Sequence, residues 1–460
     1  MRTFVVDSPG CAALRALNYA PELEKIRKAG SESAVRLRSL LRHMGDSYWS
    51  VFTRHDCSPE FGVELLTQTD MFAAEPSGRM IRRDSMPKPE VHRVRRWQVL
   101  VAGAGQMGEG NLFGRSIIAD GRLTHGYLGP HAVAMTFEEP GSVKNLWTYA
   151  YLNTTLGMQA VKTAAFGTSV PGLRLDLLGD IPVPLGPADV MERVAALVRR
   201  AVESREEFHS SLQQARNAVN KVSAMVDATE ACVARTRRSI LWDAPLPSLC
   251  AWNFAAGGGA VRILRERWKS KLRDVLIPSG VFNGPRFARI DCTPPHGIDF
   301  LSQRDIFMIR PAGRRIVRPA VSDRQLFVPR DALLVGSHGQ MNEGSIFGRV
   351  ELASFAGWRA GLTQDILRVL VRDGIREVAF AFLSTTVGQW LLKSTAVGTS
   401  IPSMRVDLLE RLPFPDLGEM PADEIRRHVL RAEAARIEAD EAEAEAIRII
   451  EQEVLPQWLA

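Results

Sequence analysis

Residues 105–115 read Gly-Gln-Met-Gly-Glu-Gly-Asn-Leu-Phe-Gly-Arg, and residues 339–349 read Gly-Gln-Met-Asn-Glu-Gly-Ser-Ile-Phe-Gly-Arg. Eight of the eleven positions are identical, Glu109 with Glu343 and Arg115 with Arg349 among them. Downstream, Tyr151-Leu-Asn-Thr-Thr-Leu-Gly157 is answered by Phe382-Leu-Ser-Thr-Thr-Val-Gly388. The segment Lys162–Leu178, with its Gly167-Thr-Ser-Val-Pro171, is answered by Lys393–Leu409, with Gly398-Thr-Ser-Ile-Pro402. Both copies leave through a proline-rich exit, Ile181-Pro-Val-Pro184 and Leu412-Pro-Phe-Pro415. Upstream, Cys57-Ser-Pro-x-x-Gly62 matches Cys292-Thr-Pro-x-x-Gly297, and Gln68-Thr-Asp70-Met-Phe72 matches Gln303-Arg-Asp305-Ile-Phe307. Collinear matches in this order mean one unit used twice.

Each copy runs on into a similar apolar-striped segment. Residues 188–240 hold no proline and no glycine, and Val190, Val194, Leu197, Ala201, Phe208, Leu212, Ala215, Val219, Val222 and Val226 fall at steps suited to one stripe of a long helix. Ile425, Val429, Ala432, Ala439, Ala446, Ile450 and Val454 repeat the pattern over 422–454. At a rise of 1.5 Å per residue such helices are about 50 to 75 Å long, too long to lie flat on one small domain. Within each globule, Trp97–Ala102 and Ala332–Gly336 read as strands running into a Gly-rich turn, and the Y-L-N-T-T or F-L-S-T-T segment reads as a short helix. The expected fold is α+β: two similar globular domains separated by two long helices in an antiparallel coiled coil, with pseudo-twofold symmetry. The expected boundaries are 1–186 for the first domain, 187–240 for the central helix, 241–417 for the second domain and 418–460 for the C-terminal helix.

Composition agrees with folded globules. At 460 residues, 45% hydrophobic and 24% charged, the chain is too long for one domain and too apolar for a disordered polymer. Its five cysteines, Cys11, Cys57, Cys232, Cys250 and Cys292, are odd in number and never paired as C-x-x-C, which points to a reducing cytoplasm rather than a disulfide framework or zinc ribbon. The first ten residues lack the apolar core of a signal peptide, and no long uncharged apolar run occurs elsewhere.

Catalytic motifs fail on inspection. Gly103-Ala-Gly105-Gln-Met-Gly108 has the spacing of a dinucleotide turn, but its repeat partner, Ser337-His-Gly339-Gln-Met-Asn342, keeps one glycine of three. Gly167-Thr-Ser169 and Gly398-Thr-Ser400 begin like a nucleophile elbow, yet Pro171 and Pro402 stand where a turn glycine and helix are needed. These segments read as turns, with a phosphate contact as a secondary role. No H-E-x-x-H, Gly-Lys or Glu-x-Lys occurs, so zincin, P-loop and common metal-nuclease chemistry lack their residues. His338 has Ala104 as its counterpart, so a surface or packing role is expected of it, and Cys57 and Cys292, with no ligand partners nearby, are expected to be buried structural thiols. No catalytic residue, metal or cofactor is expected.

Charge placement says more than charge total. Residues 79–96 contain Arg79, Arg82, Arg83, Lys88, Arg93, Arg95 and Arg96 against Asp84 and Glu90. Residues 304–330 contain Arg304, Arg310, Arg314, Arg315, Arg318, Arg324 and Arg330 against Asp305 and Asp323. Each is a local excess of five positive charges before the same strand and turn, with different spacing in a repeated frame. Two modules that present variable basic loops on a common scaffold, to a phosphate backbone and to different base edges, have this pattern. Gln106 and Gln340 in the turns, and Lys162 and Lys393 at the head of the G-T-S segments, join the candidate DNA-binding set. The net charge of +6 conceals an uneven split: residues 419–460 hold eleven acidic and five basic residues, which leaves an excess of twelve positive charges in 1–418. The acidic helix is expected to serve protein contacts.

With these motifs in order, the chain resembles the specificity (S) subunit of type I restriction-modification systems. The likeness runs through Asn18-Tyr-Ala-Pro21, the strand Gly297-Ile-Asp-Phe-Leu301, the Gly-rich turn Gly339–Arg349, the G-T-S-I-P segment and the proline-rich exit into a long helix. The second opening, Trp252-Asn-Phe-Ala, lacks the proline. The resemblance implies a non-catalytic, cytoplasmic, sequence-specific DNA-binding subunit for phage defence. Each globule would read half of a bipartite double-stranded target, and the helix pair would set the spacer and dock methyltransferase subunits. Methylation, restriction and translocation would belong to partner subunits. The alternative is an S-like DNA-recognition or scaffold subunit of another methyltransferase-linked phage-defence complex.

Overall fold

The four-residue apolar runs Val99-Leu-Val-Ala102 and Leu333-Leu-Val-Gly336 are buried along their whole length, as strands in the middle of a covered sheet must be. They lie in a computed structural model that describes residues 34–46, 53–106, 108, 111–167, 170–233, 250, 252–255, 258–341, 344–356 and 359–459. The expected opening at Asn18–Pro21 falls outside the described residues, as do Thr168, Ser169, Glu109 and Glu343. The chain divides into two units, Met1–Glu206 with Ile437–Ala460, and Glu207–Arg436, so the division falls within both long helices.

The strands framing the first unit are β1 (Leu41–Asp46), β2 (Gly62–Leu66), β3 (Arg79–Arg82), β4 (Val99–Ala102), β5 (Ser116–Ile118), β6 (Tyr127–Leu128), β7 (Ala132–Phe137), β8 (Ala165–Phe166) and β9 (Gly172–Leu173). An antiparallel sheet has the order β1-β7-β4-β5, a smaller one has the order β3-β2-β6 with β2 and β6 parallel, and β8 with β9 forms a hairpin. Helices α1 (Val143–Leu152) and α2 (Thr155–Thr163) cover the larger sheet, and α3 (Ala188–Asn220) comes after the exit. Trp147, fully buried, donates its indole N–H to Pro184 O at 2.7 Å, so the proline-rich exit is tied to α1. Within this unit Val194, Val198 and Val202 of α3 and Ala446, Ile450 and Val454 of the C-terminal segment complete the core.

The second unit repeats the plan with β10 (Leu276–Asn283), β11 (Ile298–Leu301), β12 (Arg314–Ile316), β13 (Leu333–Gly336), β14 (Val350–Leu352), β15 (Gly361–Leu362), β16 (Ile366–Val371), β17 (Ala396–Val397) and β18 (Ser403–Met404). Its sheets have the orders β10-β16-β13-β14 and β12-β11-β15, and β17 pairs with β18. Register is kept as well as order: Val99 faces Met135 in one unit, and Leu333 faces Val369 in the other. The helices are α4 (Ser223–Val233), α5 (Gly258–Arg267), α6 (Arg376–Leu383), α7 (Thr386–Lys393) and α8 (Ala422–Ile449). A π-helical turn, Ile450–Val454, extends α8.

The L-[N/S]-T-T-x-G motif proves to be the joint between two helices rather than one short helix. Thr154 Oγ1 accepts from Gly157 N–H at 2.9 Å and caps α2, and Thr385 accepts from Gly388 N–H at 3.0 Å and caps α7. A Cβ on Gly157 would lie 2.0 Å from Tyr151 O, and one on Gly388 would lie 2.3 Å from Phe382 O. Only glycine lets the second helix start so close to the first.

Of the uninterrupted helix expected over 188–240, residues 234–240 lie outside the described residues, and the described part is instead α3 and α4, separated at Lys221-Val222. The last turn of α3 tightens, with Val222 N–H donating to Val219 O, and the stripe then changes phase: Met225 and Ala228 are buried, while Val226 is exposed. α4 packs on α5 and α7, and that packing overrides a local preference for one continuous helix. On α8 every expected stripe residue from Ile425 to Ala446 is buried. Among the described residues no helix is long and apolar enough to cross a membrane.

Candidate nucleic-acid interface

Three repeated motifs meet at one place in each unit. In Gln68-Thr-Asp, Asp70 accepts from Thr67 N–H at 2.8 Å and closes a capping box around one helical turn, and Asp305 likewise accepts from Ser302 N–H at 2.8 Å. That turn aims a glutamine at the Gly-rich turn. Gln68 Nε2 donates to Ala104 O at 2.6 Å while its Oε1 accepts from Ala104 N–H at 3.4 Å, and Gln303 grips His338 in the same way at 2.7 and 3.1 Å. From the other side, Gly105 N–H donates to Pro171 O at 3.1 Å and Gly339 N–H donates to Pro402 O at 3.2 Å. The Gly-rich turn is thus clamped between a glutamine and the G-T-S hairpin. Among the described residues the next element after it is β5 or β14, a strand where a dinucleotide turn opens a helix.

The clamped turn holds Gln106 and Gln340 exposed, and the hairpins present Val170 and Ile401 at 65% and 72% exposure. Lys162 is half-buried beside Gly114. Lys393, expected at the DNA surface, is buried, with Nζ 5.1 Å from the centre of the Trp390 ring. The ammonium is held over the aromatic face, and so lies beneath the surface rather than on it.

The small sheet carries the basic clusters. In both units an exposed arginine on its edge strand meets an exposed aspartate on the segment before: Arg79 Nη2 to Asp56 Oδ2 at 2.6 Å, and Arg314 Nε to Asp291 Oδ1 at 3.0 Å. The hydrogen bond from Arg79 holds Asp56 below the usual carboxylate range, against a small opposing effect of burial. Cys57 and Cys292 are half-buried, and a Cβ on Gly62 or Gly297 would lie 2.6 or 2.2 Å from their Sγ atoms. The repeated Cys-x-x-x-x-Gly spacing is therefore a packed arch, in which the thiols are half-buried against the glycine rather than buried as expected.

The remaining cations differ between units. In the first, Arg82 pairs with Asp84, and Arg96 stacks on Trp97 and pairs with Glu206 of α3 at 2.8 Å. Arg83, Lys88, Arg93 and Arg95 are exposed, and among the described residues none of the four forms an ion pair. Lys88 has φ +48°, a left-handed conformation at the start of the turn Pro89–His92. In the second unit, Arg315 pairs with Asp299 at 2.9 Å, Arg318 pairs with Asp323, and Arg304 pairs with Asp305 at 3.5 Å; Arg310 is half-buried. Exposed pairs of this kind are worth about 0 to 1 kcal/mol, so a phosphate exchanges for the carboxylate at little cost. His125, in the turn before β6 and marked by no repeated motif, pairs with Glu64 of β2 at 2.9 Å. Its hydrogen bond to Glu64 raises the imidazole above 6.5 against the opposing effect of burial.

The acidic helix is less available than its charge suggests. Glu438, Glu443 and Glu453 pair with Arg200, Arg205 and Arg193 inside the first unit, and Glu433 meets Arg330 and Arg376 inside the second. These four carboxylates are taken up by pairs within their own units. Among the described residues no three metal-ligating side chains converge.

No protein-family profile and no curated protein matches the sequence. Among solved structures, the chain is similar to the S subunit of a type I restriction-modification system from M. genitalium, with 11% identity and a TM-score of 0.29 over 93% of this chain and 94% of that one. It is also similar to the HsdS subunit from Thermoanaerobacter tengcongensis, at 14% identity and a TM-score of 0.26 over 93% and 96% of the two chains. A third structure, from work on assembly and conformational transition of the type I R-M system, gives 13% identity and a TM-score of 0.26 over 93% and 97%.

Proposed function

We propose that this chain is a non-catalytic DNA-recognition subunit, acting in the cytoplasm, in which each unit reads one half of a bipartite duplex target and directs partner methyltransferase and restriction subunits to it. One observation carries the reading: the same sheet, clamp and hairpin are built twice in the same register, and beyond one shared Arg–Asp pair the cations mounted on them differ. A duplicated enzyme would repeat its reactive groups and let its frame drift; here the frame is kept and the surface chemistry varies. In the first unit Arg79, Arg82, Arg83, Lys88, Arg93, Arg95, Gln106 and Lys162 form the DNA-facing set, and in the second Arg304, Arg310, Arg314, Arg315, Arg318 and Gln340 do so. Arg96, held by Glu206, supports the set from behind. Residues 1–186 and 241–417 are the recognition domains, and the helical segments 187–240 and 418–460 carry the methyltransferase contacts.

The test is salt dependence. Arg83→Glu with Arg93→Glu and Arg95→Glu removes three phosphate contacts and should make the slope of log K against log salt shallower by about 3. An unchanged slope sinks the assignment of this cluster. A chain with partners attached that binds random and selected duplexes equally points instead to a protein scaffold.

A further inference from the structure

The outer edge of the small sheet is built identically in both units and decorated differently. In the first, residues 55–57 run antiparallel to β3: Asp56 lies opposite Ile81, Arg82 N–H donates to His55 O at 2.8 Å, and Cys57 N–H donates to Met80 O at 3.4 Å. In the second, residues 290–292 run antiparallel to β12: Asp291 lies opposite Ile316, Val317 N–H donates to Ile290 O at 2.9 Å, and Cys292 N–H donates to Arg315 O at 3.1 Å. The register, the Arg–Asp pair and the cysteine–glycine arch are all shared. Directly opposed residues of antiparallel strands project to the same face. His55 and Arg82 therefore form one cross-strand pair, and Ile290 and Val317 occupy the same two positions in the other unit.

All four side chains are exposed, with Ile290 at 64% and Val317 at 49%. A single exposed aliphatic residue is ordinary. Two placed side by side on a sheet edge, where the sister unit carries an arginine and a histidine, are a substitution of surface chemistry on a fixed frame. Arg83 follows the first pair in sequence, and Arg315, two residues before Val317 on the same strand face, and Arg318 flank the second, so each pair has a cation suited to phosphates beside it, while the shared Arg–Asp pairs project to the opposite face. A two-stranded ribbon fits the major groove, where guanine shows two acceptors and thymine shows its methyl group.

We infer that this cross-strand pair is the base-reading element of each unit, His55–Arg82 selecting a guanine and Ile290–Val317 packing on a thymine methyl. The inference rests on the DNA-recognition reading above and names the residues and base classes it left open. Arg82 leaves Asp84 for guanine O6 and N7, a donor geometry that an arginine meets with two parallel N–H groups.

The test uses the full chain with whatever subunit co-purifies from its host, and selection of duplexes from a randomised pool. The wild-type protein should enrich a bipartite motif with guanine in one half and thymine in the other. His55→Ile with Arg82→Val should lower the guanine preference at least about fivefold, the lower bound for one bidentate contact, and leave the other half unaltered. Ile290→His with Val317→Arg should bring guanine into the opposite half. Each replacement is the side chain the sister unit carries at that position, and the two swaps are independent if one of them fails to fold. If both variants select the wild-type motif, the pair does not read bases, while the DNA-recognition reading stands. If the second swap releases the co-purifying subunit without altering the motif, the aliphatic pair is a protein contact and the inference is overturned. If the wild-type chain enriches nothing, the DNA-recognition reading itself fails.

Discussion

Arg205→Leu is the most informative single perturbation of the first unit. Arg205 and Glu443 are 0% and 3% exposed, with Nη2 and Oε2 2.7 Å apart, and Tyr149 donates its hydroxyl to the same carboxylate. Burial works against the charge on Arg205, but Glu443, Tyr149 and Asp120 outweigh it and the guanidinium stays charged. Nε and Nη1 meet no acceptor among the described residues, so the pair rests on charge attraction more than on directed hydrogen bonds. Removing the arginine takes the cation away from a buried carboxylate, at a cost of about 3 to 5 kcal/mol. For a unit of about 230 residues this is a fall of roughly 6 to 20 °C in melting temperature. The double variant Arg205→Leu with Glu443→Leu removes both desolvated charges and should melt near the wild type or above it. Calorimetry of the full chain, following the transition that the single variant moves, reads both. A single variant within about 2 °C of wild type, or a double variant as unstable as the single, would refute a buried pair whose members depend on each other.

Three further outcomes rest on the same geometry. Gly157→Ala and Gly388→Ala each push a methyl into a carbonyl oxygen and should cost about 1 to 3 kcal/mol or more, the range of overpacking, read as a lower midpoint in urea with the slope unchanged. Gln68→Leu leaves the Ala104 peptide group without its clamp; a loss of about 1 to 3 kcal/mol and faster amide exchange at Ala104 should result, with Gly339 in the other unit unaffected. His125 should titrate above 6.5 by NMR and return towards 6.5 in Glu64→Gln. The raised His125 contributes stability in full below pH 6.5 and loses it as pH rises through its folded value. The lowered Glu64 contributes above pH 4.5 and loses it as pH falls. The pair is therefore strongest between pH 4.5 and 6.5.

Much of the architecture is legible in the repeat because duplicated motifs mark where the fold constrains side chains. Gly157, Gln68, Cys57 and Pro171 are kept in both copies, and each proves to be a close approach, a clamp, a packed arch or a hairpin contact. Periodicity located the buried faces of both long helices but missed the break at Lys221-Val222, because no proline or glycine marks it and the cause is packing on α5 and α7. Charge runs located the basic sheet, but composition along the chain says nothing about which cations meet carboxylates. Lys393 is buried under the surface and the exposed Arg96 is taken up by Glu206, whereas Arg83, Lys88, Arg93 and Arg95 stand on the surface. His55 and Ile290 carry no signal alone; they stand out only when the ladder sets them at one position.

The most direct measurement is the genome-wide map of modified bases in a host carrying this chain with its methyltransferase. The expected result is a bipartite motif with two defined halves and an undefined spacer, in which exchanging one unit's recognition domain changes one half alone. A continuous motif, or one in which both halves change together, would contradict recognition by two independent units.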